Sequence, residues 1–308
     1  MIKIAFSGIG GVGGYYGGML AAHYRNSDTV GIYFISRGKN LEEIRQNGLR
    51  IQTKDAVTEA CPAIVTDRPA DIGVVDYLFC TTKSYDLEAN IGQLSPLIGT
   101  QTVVIPLLNG ADITERLRRI LPHNTVWYGC VYIGARLAAP GLVTKFTDRS
   151  RLWFGDPEGD RHRQQALLQL LTAAGIDALN PEDIITRIWQ KFFLISVGAT
   201  LTSYYNQSIG EILQHHREDY RLLGDELMQV ARAKGIVLPD DMVEKVVADQ
   251  QKMPYDATTS MHTDFRNGKQ TELDTLTGYV VRAGQEYGIP TPAYNKMYEK
   301  LKQRSLPA

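Results

Sequence analysis

The chain has almost no charge imbalance: 33 Lys and Arg stand against 34 Asp and Glu over 308 residues, a formal net charge of −1. No global field draws it to nucleic acid or to an anionic membrane, so neither is expected as a partner. Cysteine is scarce as well. Cys61, Cys80 and Cys130 have no close pairing or metal-ligand spacing, which fits a reducing compartment and packing roles. The six histidines include no HxxxH or comparable metal spacing, and His215-His216 lies in a charged segment that reads as a solvated face. No positively charged leader precedes an apolar core, and no apolar run of about 18 or more residues is seen, so a cytoplasmic chain is expected. Internal repeats and low-complexity tracts are absent too. What remains is an ordinary globular composition, 44% hydrophobic and 22% charged, long enough for two domains with separate cores.

The most informative stretch is Ile2 to Leu20, IKIAFSGIGGVGGYYGGML, in which a strand pattern runs into Gly8-Ile9-Gly10-Gly11-Val12-Gly13 and then into helix-compatible sequence. This is a dinucleotide-binding turn in its expected context. Gly8 makes the tight turn, Gly10 lets the backbone approach a pyrophosphate, and Gly13 lets the helix pack on the strand. Phosphates then sit on the helix N-terminus, at its free N–H groups and positive dipole end.

Further strands are expected at Thr29–Ser36, Val74–Cys80 and Thr102–Leu108. Continuous apolar runs of this kind belong to strands covered on both faces, which implies a parallel sheet. From about Val126 to Asp156 shorter strands with turns at Pro140-Gly141 and Asp156-Pro157 suggest an antiparallel edge to that sheet. Asn180-Pro181-Glu182-Asp183 supplies an N-cap, a first-turn proline and two first-turn acids, announcing a helix. Nearly everything beyond has helical period, with Gly288-Ile289-Pro290-Thr291-Pro292 preceding a final short helix from about Ala293. The expected fold is α/β: a Rossmann-type doubly wound nucleotide domain over 1–182, then an all-α domain over 183–308.

Several residues could carry chemistry. The second strand ends in Ser36-Arg37, where an NAD-preferring turn carries an acid for the ribose 2′-hydroxyl. A guanidinium there suits a 2′-phosphate, pointing to NADP(H). Two other strand ends are polar, Thr81-Thr82-Lys83-Ser84 and Asn109-Gly110, and the carboxyl ends of strands face the ligand. Lys83 is placed to contact ribose, phosphate or substrate, and Asn109 to hold the nicotinamide end. Lys191 lies in an apolar helical run with Ile188, Leu194 and Ile195 as neighbours; it is either a snorkelling edge residue or a cation placed to protonate a developing alkoxide. Ser260 and Glu272 open two later helical stretches. Ser260 could take a substrate carboxylate and Glu272 could orient Lys191, or both could simply cap helices.

Together, GxGxxG, Arg37, Thr81-Thr82-Lys83-Ser84, Leu108-Asn109-Gly110, Trp189-Gln190-Lys191, Ser260-Met261, Thr271-Glu272-Leu273-Asp274 and Gly288-Ile289-Pro290-Thr291-Pro292 resemble the ketopantoate reductase (2-dehydropantoate 2-reductase) family, in the right order over nearly the whole chain. The resemblance implies NADPH-dependent reduction of 2-dehydropantoate to pantoate, on the way to pantothenate and coenzyme A. It implies Lys191 as the general acid, Glu272 as its assistant and Ser260 on the substrate carboxylate. Lys83 and Asn109 would serve cofactor and substrate. One departure stands out: studied members carry asparagines four and eight residues after the lysine, where this chain has Ile195 and Ala199, with Ser196 and Thr200 one position on as substitutes for the lost hydrogen bonds. Two alternatives stay open: a reductase of a more apolar 2-oxoacid giving a D-2-hydroxyacid, and a nucleotide-binding sensor without catalysis. The partner is a small 2-oxoacid, with room for a homodimer.

Overall fold

The computed structural model describes residues 1–148 and 150–305. In chain order its elements are β1 (Ile2–Ser7), α1 (Gly11–His23), β2 (Val30–Ile35), α2 (Gly38–Asn47), β3 (Leu49–Gln52), β4 (Val57–Ala60), β5 (Ile64–Thr66), β6 (Tyr77–Cys80), α3 (Leu87–Gln93), β7 (Val103–Pro106), α4 (Ile113–Ile120), β8 (Thr125–Val126), β9 (Tyr128–Tyr132), β10 (Ala135–Ala139), β11 (Leu142–Lys145), β12 (Arg151–Gly155), α5 (Arg161–Ala173) and β13 (Ala178–Leu179). Helices follow: α6 (Ile184–Tyr205), α7 (Ile209–His215), α8 (Arg217–Ala233), α9 (Met242–Gln250), α10 (Ser260–Arg266), α11 (Tyr279–Tyr287) and α12 (Pro292–Ser305).

Strands β2, β6 and β7 are buried at every residue, as their unbroken apolar sequences require. They lie in a six-stranded sheet of order β5-β2-β1-β6-β7-β8 in which every pairing is parallel. Renumbered within the sheet, that order is 3-2-1-4-5-6, the doubly wound arrangement of dinucleotide-binding folds. Phe6 and Phe79 on adjacent strands stack at 4.6 Å between ring centroids, fixing the β1–β6 register from one face.

The segment from Val126 to Asp156 departs from expectation. Its strands do not form an antiparallel edge of the parallel sheet. β10 and β11 pair antiparallel, but β11 then runs parallel to β3, closing a separate four-stranded sheet β10-β11-β3-β4. β9 and β12 pair antiparallel in a third sheet with β13. The four-stranded sheet packs on α1, whose five glycines make the approach possible. A Cβ at Gly11 would collide with the carbonyl of Ala135, one at Gly14 with Val143, and one at Gly18 with Ile51. Gly13 and Gly17 point the other way, where a Cβ would press on the Gly8 carbonyl and on Phe6 and Phe34. Helix α1 is thus covered on both sides.

The chain divides into two compact units, residues 1–108 with 113–184, and Asn109–Asp112 with 185–308. Asn180 is not a helix cap. Its amide donates to the Phe154 carbonyl (2.8 Å) and to Gln164 Oε1 (2.7 Å), binding the end of β12, and α6 begins only at Ile184. In the second unit α6 is the core helix: Trp189, Phe192, Phe193, Val197 and Leu201 are buried among residues of α8, α9, α11 and α12. An apolar run had not been expected, yet α6 is long and apolar enough to cross a membrane by length and composition; 56% of its apolar window is buried within the protein. Nor is His216 merely solvated: its ring stacks on Tyr205 at 3.5 Å. Glu226 on α8 is buried and accepts the backbone N–H groups of Ala293 (2.8 Å) and Tyr294 (3.0 Å), capping α12 from a neighbouring helix.

Candidate active site

In the first unit the glycine-rich turn is held on every side. Gly8 sits at φ +96°, a conformation open to glycine, and a Cβ there would lie 2.9 Å from the Thr82 nitrogen. Its N–H donates to the Ile35 carbonyl, and its carbonyl accepts from Gly10 N (2.9 Å) and from Thr81 Oγ1 (2.7 Å). Thr81 also donates through Oγ1 to the Ser7 carbonyl (2.8 Å). Gly10 differs from its neighbours, for nothing lies within 4 Å of the Cβ it lacks. Helix α1 starts next to that open space with no side-chain cap and no acid in its first turn, so its positive end is not neutralised from within. Val12 is partly buried against the apolar core of the first unit. This cradle fits a pyrophosphate: backbone donors, a free approach over Gly10, and a rigid surround.

At the next strand end, Arg37 is exposed at the N-terminus of α2, and no acid follows β2. Sequence reasoning passed over Asn40. Its Nδ2 donates to the Ile9 carbonyl (3.0 Å) and to Ser36 Oγ (3.1 Å), and its Oδ1 accepts from Gly141 N (2.8 Å). One amide therefore joins the glycine turn, the end of β2 and the β10–β11 turn. Only its place four residues after Ser36 hinted at this. Lys83 is half-buried at the start of the short 3₁₀ turn Ser84–Asp86 after β6.

In the second unit, Lys191 on α6 is 8% exposed, and its Nζ donates to Asn109 Oδ1 at 2.8 Å. Two residues singled out 82 positions apart thus form one partly buried, charge-assisted pair. Glu272 is 4% exposed and lies just before a π-helical turn, Asp274–Gly278, that leads into α11; its carbonyl accepts from Thr275 N (3.1 Å) and Leu276 N (2.9 Å). The role expected of Ser196 and Thr200 is not what the structure gives them. Both are fully buried: Ser196 Oγ donates to the Leu276 carbonyl (2.6 Å) and Thr200 Oγ1 bonds Thr277 Oγ1 (2.8 Å). At five and nine residues past Lys191 they fall well round the helix from it, whereas Ile195 and Ala199 stay nearer its face. Their hydroxyls are used inside the helical core.

Ser260 is exposed in the first turn of α10, and the cap itself is Thr259, which accepts from His262 N (3.3 Å). Beside it opens a polar cavity of about 470 Å³ lined by Asn206, Ser208, Thr258, His262 and Arg266 among others. His262 bridges Thr258 Oγ1 (2.6 Å) and Asn206 Oδ1 (2.9 Å) through its two ring nitrogens. Burial, aided by the nearby Arg266 charge, holds this imidazole below its ordinary value.

Comparison with known proteins decides the family. The profile described as ketopantoate reductase PanE/ApbA matches residues 4–159, and that of its C-terminal part matches residues 183–305. The chain belongs to the ketopantoate reductase family. It is 44% identical to the crystal structure of 2-dehydropantoate 2-reductase from Porphyromonas gingivalis W83, covering 98% of this chain and 99% of that one with a TM-score of 0.86. The uncharacterized oxidoreductase YkpB of Bacillus subtilis (strain 168) is 27% identical over 97% of this chain and 98% of its own. The ternary structure of D-mandelate dehydrogenase with NADH and anilino(oxo)acetate shares the fold, with a TM-score of 0.84 at 24% identity over 99% and 98% of the two chains. Ketopantoate reductase family members are nicotinamide-dependent oxidoreductases.

Proposed function

We propose that this protein reduces 2-dehydropantoate to pantoate with NADPH. The observation that carries the reading is the partly buried Lys191–Asn109 pair, 2.8 Å from Nζ to Oδ1, in a chain of this family. It is supported by 44% identity to a protein called 2-dehydropantoate 2-reductase. Residues 1–182 act as the nucleotide domain and 183–308 as the substrate and catalytic domain. The bound dinucleotide supplies the hydride. Gly8, Gly10, Gly11, Val12 and Gly13 form its phosphate cradle, and Arg37 takes the 2′-phosphate, which an acid at that strand end would repel. Lys83 and Asn109 serve the nicotinamide and substrate side.

Asn109 accepts one N–H of the Lys191 ammonium and so fixes the direction of a long flexible stem. As negative charge builds on the ketone oxygen, that ammonium stabilises it and gives up a proton, completing the alcohol. Glu272 keeps the lysine in its working orientation, and the Ser260 hydroxyl donates to the substrate carboxylate.

A second reading has its own observation. Ile195 and Ala199, at i+4 and i+8 from Lys191, put hydrocarbon on that side of α6, which suits a more apolar 2-oxoacid reduced to a D-2-hydroxyacid. The test is the ratio of kcat/KM for 2-dehydropantoate over 2-oxoisocaproate with NADPH. A ratio well above one is expected; a ratio clearly below one replaces the first reading with the second.

A further inference from the structure

The π-helical turn Asp274–Gly278 opens the backbone where an ordinary α-helix would keep its hydrogen-bond spacing. Such turns pack less well than α-helix and persist where the surroundings compensate them. Here the compensation comes from α6. Ser196 has one hydroxyl proton, which goes to the Leu276 carbonyl inside the turn (2.6 Å). Tyr294, 2.8 Å away and fully buried, must therefore donate to Ser196 Oγ. One helical turn further along α6, Thr200 bonds Thr277 at 2.8 Å. From the outer side Arg282 donates to the Asp274 carbonyl (2.9 Å), and the Tyr298 hydroxyl donates to the Asp274 carboxylate. The turn is clamped on both faces. Its inner clamp stands on the same helix as Lys191, and Glu272 lies two residues before its start.

We propose that Ser196 and Thr200 are positioning residues: by pinning the π-helical turn to α6, they hold Glu272 in register with Lys191. The proposal rests on the reading of Glu272 as the assistant of Lys191. It gives a task to two hydroxyls at fully buried positions, where alanine and valine would pack at less desolvation cost. It also separates the two pairs of residues that follow Lys191: Ile195 and Ala199 bear on substrate, Ser196 and Thr200 on the acid's alignment.

The test compares Thr200→Val, which removes a hydroxyl at nearly constant volume, with Thr200→Ser, which keeps it. Thr200→Val should stay folded and bind NADPH within about twofold of wild type, while kcat on the preferred 2-oxoacid falls by about 10- to 100-fold, the range that a small misplacement of a catalytic group produces. KM should change much less than kcat. Thr200→Ser should recover most of the turnover, and Ser196→Ala should repeat the loss. Because the effect runs through Glu272, adding Thr200→Val to Glu272→Ala should lower kcat by no more than about twofold further. A Thr200→Val enzyme with wild-type kcat, or one whose loss is undiminished in the Glu272→Ala background, overturns the proposal. If Glu272→Ala alone keeps full turnover, the assigned role of Glu272 is itself at fault, and the positioning proposal falls with it. Should Ser196→Ala not fold, the Thr200 pair decides the matter.

Discussion

Gly10 and Gly13 lie three residues apart in one turn, yet replacing each by alanine should damage different properties. A methyl at Gly13 meets the Gly8 carbonyl and Thr81 Oγ1, both fixed by their own hydrogen bonds, so it overpacks a rigid site at a cost of about 1–3 kcal/mol. With about 2–4 °C lost per kcal/mol in a unit of this size, the melting transition should fall by roughly 2–12 °C. A methyl at Gly10 meets nothing within 4 Å, and φ −98° with ψ −151° is extended backbone that alanine can adopt. Gly10→Ala should therefore melt no lower than wild type, and up to about 1 kcal/mol of stabilisation is expected from the less flexible unfolded chain. Its damage is confined to nucleotide binding, because the new methyl fills the space through which a pyrophosphate reaches the helix N-terminus. Calorimetry with and without NADPH separates the two. At a ligand concentration 100 times the wild-type Kd, wild type gains about 2.7 kcal/mol, and a 100-fold weaker Gly10→Ala gains only about 0.4 kcal/mol. A Gly10→Ala protein with an undiminished NADPH shift would refute the placement of the phosphates over Gly10. A Gly13→Ala protein as stable as wild type would refute the packing argument.

Arg37→Ala should weaken NADPH binding by about 10- to 150-fold, the worth of charge-assisted hydrogen bonds of about 1.5–3 kcal/mol, and leave NADH nearly unchanged; equal losses in titrations with both would remove the 2′-phosphate assignment. Lys191→Ala should fold and bind NADPH but lose about 10²- to 10⁴-fold in kcat, and near-normal turnover would end its role as general acid. His262 is held below its ordinary value, so the unfolded chain takes up its proton more readily than the folded one. The stability this gives at neutral pH is fully present above about 6.5 and is lost as pH falls through the lower folded value, so wild type should lose more melting temperature between pH 7.5 and 5.5 than His262→Gln. Parallel curves for the two would contradict this.

The parts of this protein legible in the sequence are those encoded locally. Gly8 to Gly13 after an apolar strand marked the sharp turn from β1 into α1, and the unbroken apolar residues of β2, β6 and β7 announced a sheet covered on both faces. Lys191 drew notice because its neighbours are apolar. What stayed hidden depends on partners distant in sequence. The antiparallel turn signals around Pro140-Gly141 were readable, but not that β11 would leave the main sheet to pair with β3, about 90 residues earlier. A side-chain amide or hydroxyl is equally silent about its target: Asn180 serves β12 rather than a helix end, Asn40 ties three turns, and Ser196 and Thr200 bond the turn after Glu272.

The sheet that covers α1 also sets a schedule for the newborn chain. Strands β3 and β4, made early, cover only part of the helix face that Gly11, Gly14 and Gly18 leave open to close approach. Leu142, which pairs beside Arg50, is added roughly 5 to 18 seconds later at about 5–20 residues per second. Until then that face of α1 lacks the cover that β10 and β11 give it in the finished fold. The close packing around α1 is therefore completed well after the helix itself is made, and before the helices from α6 onward are added.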